Sequence, residues 1–140
     1  MSIIDPIELP VPYSVDEINR EFWKLCNTHI LHFQQCKGCG HWRHLPRYMC
    51  SECGSPDWHW APSSGKGVIF SWTIVHQPMH PAFGGKTPYA SIIVEMEEGV
   101  RIVSQIPDLP IEDLKLDLPV EVYFEARTED VTLPFFRAIK

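Results

Sequence analysis

No apolar run in this 140-residue chain approaches the roughly 20 residues that a helix needs to cross a bilayer. The first 13 residues carry Asp5, Glu8 and three prolines, and lack both the basic start and the apolar stretch of a secretory signal. A cytoplasmic location is the resulting expectation. Basic charge is scarce as well: 12 Lys+Arg against 18 Asp+Glu give a net charge of -6, which disfavours a general polyanion-binding surface. No P-loop, G-x-S-x-G elbow or Rossmann glycine fingerprint occurs, and no carboxylate pair identifies an acid with its base. Internal repeats and low-complexity tracts are missing too. The 5 cysteines are odd in number and follow no export signal, so they argue for metal ligation over a disulfide framework.

Residues 1–19 sum to a charge of -4, residues 20–60 to +2 and residues 61–140 to -4. The middle segment, with Arg20, Lys24, Lys37, Arg43 and Arg47, is therefore the candidate phosphate-facing surface. Pro6, Pro10 and Pro12 interrupt backbone donation and predict an extended arm. Ser14-Val15-Asp16-Glu17 reads as a capping box, with Ser14 as the cap. Val15, Ile18, Phe22, Leu25 and Cys26 then recur at helical spacing. Ile30 to Gln35 sets Leu31 and Phe33 against His32 and Gln34, a short strand leading into Cys36, and Asp57 to Trp60 supplies the strand that leaves the cysteine region.

Beyond the Pro62-Ser63-Ser64-Gly65 boundary, five strand-like runs follow: 67–76, 89–96, 100–106, 120–127 and 133–138. Glu97-Glu98-Gly99 suits a hairpin, whereas the 107–119 connection carries Ile111, Leu114 and Leu116, enough for a helical turn closing a barrel end. That pattern predicts a Greek-key OB barrel. In its fourth strand, Val120, Val122, Phe124 and Ala126 are expected to face inward. The fold class is mainly β: an N-terminal arm and helix (1–28), a rubredoxin-like zinc ribbon (29–61) and a five-stranded OB-fold barrel (62–140).

Cys36-Lys37-Gly38-Cys39-Gly40 and Cys50-Ser51-Glu52-Cys53-Gly54 are paired knuckles, each closed by a glycine at a position that calls for positive φ. They predict one structural Zn²⁺ held by Cys36, Cys39, Cys50 and Cys53. Four thiolates leave no open position for an activated water. Iron in a rubredoxin-like site is compatible with the same four ligands, while a C-x-x-C redox pair is disfavoured because two glycine-closed knuckles occur without a βαβ unit. Cys26, on the apolar helix face, reads as an ordinary buried thiol. All 7 histidines fall between His29 and His80, at spacings that suit surface or hydrogen-bonded roles better than a second metal site.

The order helix, strand, double knuckle, linker and barrel, together with Phe22-Trp23, Gln35-Cys36, Pro46-Arg47, Trp72-Thr73-Ile74-Val75-His76, His80-Pro81-Ala82-Phe83, Pro88-Tyr89 and Thr132-Leu133-Pro134, resembles the zinc-ribbon/OB-fold acyl-CoA-associated family called domain of unknown function 35. The resemblance covers Val15 to Ala138. It implies a non-catalytic subunit paired with a thiolase-like enzyme, such as a thiolase or a lipid-transfer-protein-like retro-aldolase of lipid metabolism, or with a hotdog-fold enoyl-CoA hydratase. No activity alone is expected.

For an acyl-CoA ligand, the phosphates call for cations, and Arg43 and Arg47 with Lys37 and Lys66 behind them are the candidates. His80, Phe83 and Lys86, on the 77–88 loop, are candidate contacts to the same ligand or to a partner. Phe22, Trp23 and Leu25 are expected to leave apolar surface for that partner. The competing reading is a nucleic-acid module with Trp58, Trp60 and Trp72 stacking on bases. The acidic charge of the barrel segment speaks against it.

Overall fold

The computed structural model describes residues 16–77, 85 and 87–139. Helix α1 (Glu17–Cys26) begins where the Asp16 side chain accepts a hydrogen bond from the Ile18 amide at 3.1 Å, so the cap is Asp16 in place of the expected Ser14, which lies outside the described residues. Both residue types cap well, and Asp16 gains from a second donor, the Tyr48 hydroxyl at 2.8 Å. Ile18, Phe22 and Cys26 are buried, and the helix packs on the first and last strands of the chain.

Strands β1 (His32–Cys36), β2 (Trp42–Arg43) and β3 (Trp58–Pro62) form an antiparallel sheet in the order β2-β1-β3. A second sheet, in the order β6-β5-β4-β7-β8, is built from β4 (Lys66–Val75), β5 (Tyr89–Met96), β6 (Arg101–Ser104), β7 (Pro119–Ala126) and β8 (Thr132–Ala138). It curls until its two edges meet. The Ser104 hydroxyl donates to the Pro134 carbonyl at 2.9 Å and the Phe136 amide to the Gln105 carbonyl at 3.0 Å, so β6 and β8 approach in the parallel sense that closes an OB-fold. The β6–β7 connection contains a 3₁₀ turn at Ile111–Asp113, as its apolar residues predict.

One hydrophobic core runs through both sheets. Phe22 and Cys26 of the helix, Leu31 just before β1 and Phe33 within it share a cluster with Ile69, Ile92, Val94, Val120 and Phe136 of the barrel. Burying each large side chain contributes about 1.5–3 kcal/mol. Phe22 thus belongs to the core and leaves no surface for a partner, while Trp23, Trp60 and Trp72 pack partly against that core.

Two alternation readings change. Gln34 is fully buried despite its place on the expected polar face of β1, because Arg43 lies opposite it across the ladder. Ala126 is exposed, whereas Val120 is buried and Val122 and Phe124 pack against the core. The cause is register: β4 covers β7 only from Pro119 to Glu121, and beyond it β7 pairs with β8 alone.

His44 is seated between aromatic rings, 5.0 Å from Phe22 and 5.2 Å from Phe33, and burial pushes its pKa down to about 4. A free imidazole takes its proton near pH 6.5, so the unfolded chain binds more protons between the two values. Stability is therefore present above pH ~6.5 and falls as pH drops toward 4, by up to about 3 kcal/mol. His44→Phe is expected to flatten that limb in denaturation midpoints measured from pH 7 to 4.5.

Candidate metal centre and its surroundings

The hairpin order of β1 and β2 brings the first knuckle back toward the second. All four sulfurs of Cys36, Cys39, Cys50 and Cys53 lie within 4.8 Å of one another. Cys36 and Cys53 are 3.6 Å apart, as are Cys39 and Cys50. Four thiolates at about 2.3 Å from one Zn²⁺ in a tetrahedron would sit roughly 3.8 Å apart, so the cage fits the ion. Gly40 and Gly54 hold φ of 79° and 78°, and their amides return to the carbonyls of Cys36 and Cys50 at 3.0 and 2.8 Å. Gly38 and Glu52 turn their amides onto the sulfurs of Cys36 and Cys50 at 3.2 and 3.4 Å.

These donors divide the four thiols electrostatically. Cys36 is pulled down to about 6, chiefly by the Cys39 amide, and Cys50 is lowered chiefly by that of Cys53. Cys39 and Cys53 rise. The amides of His41 and Ser55 pull the other way, against desolvation and Cys50 at Cys39 and against Cys36 at Cys53. Adjacent sulfurs thus resist a fourfold negative charge that a divalent cation relieves. Cys26 is apart from this group, and burial raises its thiol to about 12, which makes it inert at neutral pH.

Beside the knuckles, Gln34 joins the two arginines singled out for phosphate. Its Oε1 accepts from Arg43 Nε at 2.8 Å and from the Arg47 amide at 2.6 Å, while Arg43 Nη2 donates to the Arg47 carbonyl at 2.9 Å. Arg43 is only 7% exposed, with its guanidinium 6.0 Å from the Trp58 ring, so it shapes the loop and leaves Arg47 as the exposed cation of the pair. Lys37 is exposed on the first knuckle; Lys66 is exposed too, but at the start of β4 in the other sheet, opposite Glu121. His80, Phe83 and Lys86 lie outside the described residues. Spacing offered no signal for the Gln34–Arg43–Arg47 cluster, which exists only once the β1–β2 register is set. Among the described residues no helix is long and apolar enough to cross a membrane.

Residues 23–59 match the family described as ChsH2, rubredoxin-like zinc ribbon domain, and residues 60–125 match ChsH2, C-terminal OB-fold domain. The chain is similar to a probable enoyl-CoA hydratase alpha subunit of Thermomonospora curvata, 34% identical over 123 residues that make up 86% of this chain and 38% of that protein. It is similar to a DUF35 domain-containing scaffold protein of Methanocaldococcus jannaschii, 34% identical over 97 residues, 69% of this chain and 68% of the relative. Among solved structures, a chain of an Ltp2-ChsH2(DUF35) aldolase superposes with a TM-score of 0.83 and 30% identity over 91% of this chain and 98% of that one. Against the hydratase subunit, then, the chain spans well under half the relative's length.

Proposed function

The chain belongs to the DUF35 family, in which a ChsH2-type zinc ribbon precedes an OB-fold, and from this premise we propose that it is a non-catalytic subunit of an acyl-CoA enzyme. The observation that carries the reading is the closed cage: four sulfurs surround one ion site and leave no ligand position for substrate or water. A bound Zn²⁺ would supply folding free energy and fix the knuckles, with Cys36, Cys39, Cys50 and Cys53 as its ligands. The chemistry belongs to a partner, a thiolase-like retro-aldolase or a hotdog-fold hydratase, whose CoA-substrate site this chain helps to form. The hydratase-subunit and aldolase likenesses support that partner class.

On this reading Arg47 and Lys37 face the CoA phosphates, Arg43 fixes the Arg47 backbone, and Lys66, His80 and Phe83 are further candidate contacts. Met49, exposed immediately before Cys50, offers a soft apolar contact to the partner enzyme. Co-expression with candidate partners followed by size-exclusion and an acyl-CoA assay tests the proposal. Met49→Asp should weaken association about tenfold or more. Arg47→Ala should raise KM for the acyl-CoA roughly threefold to tenfold with kcat little changed. A partner fully active alone that never binds this chain would refute the reading.

A further inference from the structure

Between the start of β5, the 105–111 connection and the ends of β7 and β8 nearest their shared turn lies a cavity of about 680 Å³. Small-molecule sites occupy roughly 300–1,000 Å³, so its size suits such a ligand. Its floor is continuous with the barrel interior: Ile106 belongs to the core cluster, Leu109 packs against it and Phe135 is buried. Pro88, Pro107 and Pro110 stand around it. Each fixes its own backbone dihedral and has no N–H to offer, so this part of the wall is stiff and donates no hydrogen bond from its main chain. A wall that need not be ordered on binding costs a ligand less.

The charge at the cavity is balanced. Among the described residues that line it, Glu125 and Arg127 are the charged ones, and Arg127 Nη1 donates to Glu125 Oε1. The guanidinium is also held 5.3 Å from the centre of the Phe135 ring, and the Arg127 amide donates to the Val131 carbonyl at 2.8 Å across the turn. An anion entering here would meet the Glu125 carboxylate together with Arg127, with no net attraction left for it.

Arg127 nevertheless keeps donor capacity that the protein leaves unused. Its Nε is covered from water and has no acceptor among the described residues. A covered donor on a charged group is costly to leave unmade. The missing group is an acceptor oxygen that brings no charge, on a body apolar enough for walls of proline, leucine, isoleucine and phenylalanine.

We infer that this cavity is a binding site for an uncharged apolar ketone, whose carbonyl oxygen accepts from the Arg127 guanidinium while its hydrocarbon body lies against Phe135, Ile106 and Pro110. The site is separate from the four cysteines and from Arg47 and Lys37, none of which lines it. It requires neither CoA nor a partner enzyme, so it stands or falls independently of the subunit reading.

The test titrates the isotope-labelled full chain with 2-acetylnaphthalene, an uncharged aromatic ketone, and follows the methyl resonances of Ile106, Leu109 and Leu133 and the Arg127 Nε–H signal. Saturable shifts are expected with a Kd on the order of 0.1–1 mM, within reach of a ligand of this size, and the Nε–H signal should move downfield as it gains an acceptor. The carboxylate 2-naphthoate, on the same ring system, should bind at least tenfold more weakly. Glu125→Gln removes the competing charge and should reverse that order. Arg127→Met keeps an apolar stem but no donor and should weaken the ketone about tenfold. Ile111→Trp, which fills the cavity from its rim, should abolish binding.

The absence of saturable shifts up to the solubility limit of the ketone would overturn the proposal. So would shifts that persist in Arg127→Met and Ile111→Trp, or that centre on Leu45 and Val103, which are exposed outside the cavity. Tighter binding of 2-naphthoate than of the ketone by the unaltered chain would make this an anion site and overturn it as well. Should a variant fail to fold, the ketone-against-carboxylate comparison and the Nε–H shift in the unaltered chain still decide.

Discussion

Removing the metal, by chelation or by Cys50→Ser, is expected to unravel residues 36–57 while the barrel stays folded. The knuckle cysteines lie outside the main core cluster, although Cys36 and Cys50 are buried, and their loops are held by amide-to-sulfur contacts that depend on the thiolate state. Without a cation, Cys39 and Cys53 keep their protons and the four sulfurs crowd one another with no metal bond to hold them together. Structural zinc in small ribbons supplies roughly 10–16 kcal/mol of apparent binding free energy at neutral pH, more than local packing can replace. Leu31 and Phe33, at the base of the ribbon, stay anchored among barrel residues, so the lesion should stop there. Elemental analysis should give one zinc per chain. Hydrogen exchange should show tenfold or greater loss of protection confined to the knuckles, and a metal-free ribbon with unchanged protection would defeat the assignment.

Gly67→Ala is expected to be the most damaging single-methyl addition in the barrel. Gly67 pairs with Met96 on one side and Val120 on the other, and a Cβ there would stand 2.4 Å from the Glu95 carbonyl oxygen and 2.9 Å from Val94 Cγ1. The first obstacle is backbone, so relief requires β5 to move, and β5 is held by β4 on one edge and β6 on the other. Overpacking of this kind costs about 2–4 kcal/mol, which for a domain of this size lowers the thermal midpoint by roughly 10 °C. Gly99→Ala is the control: it has positive φ but open space around the added methyl, so it should suffer backbone strain alone and lose about 1 kcal/mol.

Much of this arrangement is visible in the chain itself. Cys36-x-x-Cys39-Gly40 and Cys50-x-x-Cys53-Gly54 fix ligands and turns together, since the glycine that follows each pair is required by the same loop that presents the sulfurs. Strand β5 runs over the predicted Tyr89–Met96, because its period-two pattern coincides with a strand flanked on both edges. Ala126 misled for the converse reason: alternation does not reveal where a neighbouring strand stops. Gln34 misled because its partner stands nine residues away across a ladder. A buried amide that accepts twice looks, in one dimension, like any solvated glutamine. His44 resembled a surface histidine until Phe22 and Phe33 closed around it.

The continuous core makes ribbon and barrel mechanically one object. A load applied at the knuckles passes through Phe33 and Leu31 into Ile69 and Phe136. Any protein that grips the zinc end therefore also sets the angle of the barrel. Inheritance is constrained in the same way: a recombination break after Pro62 would part each half from its own interior wall, so these two pieces should pass between genes together or be lost together.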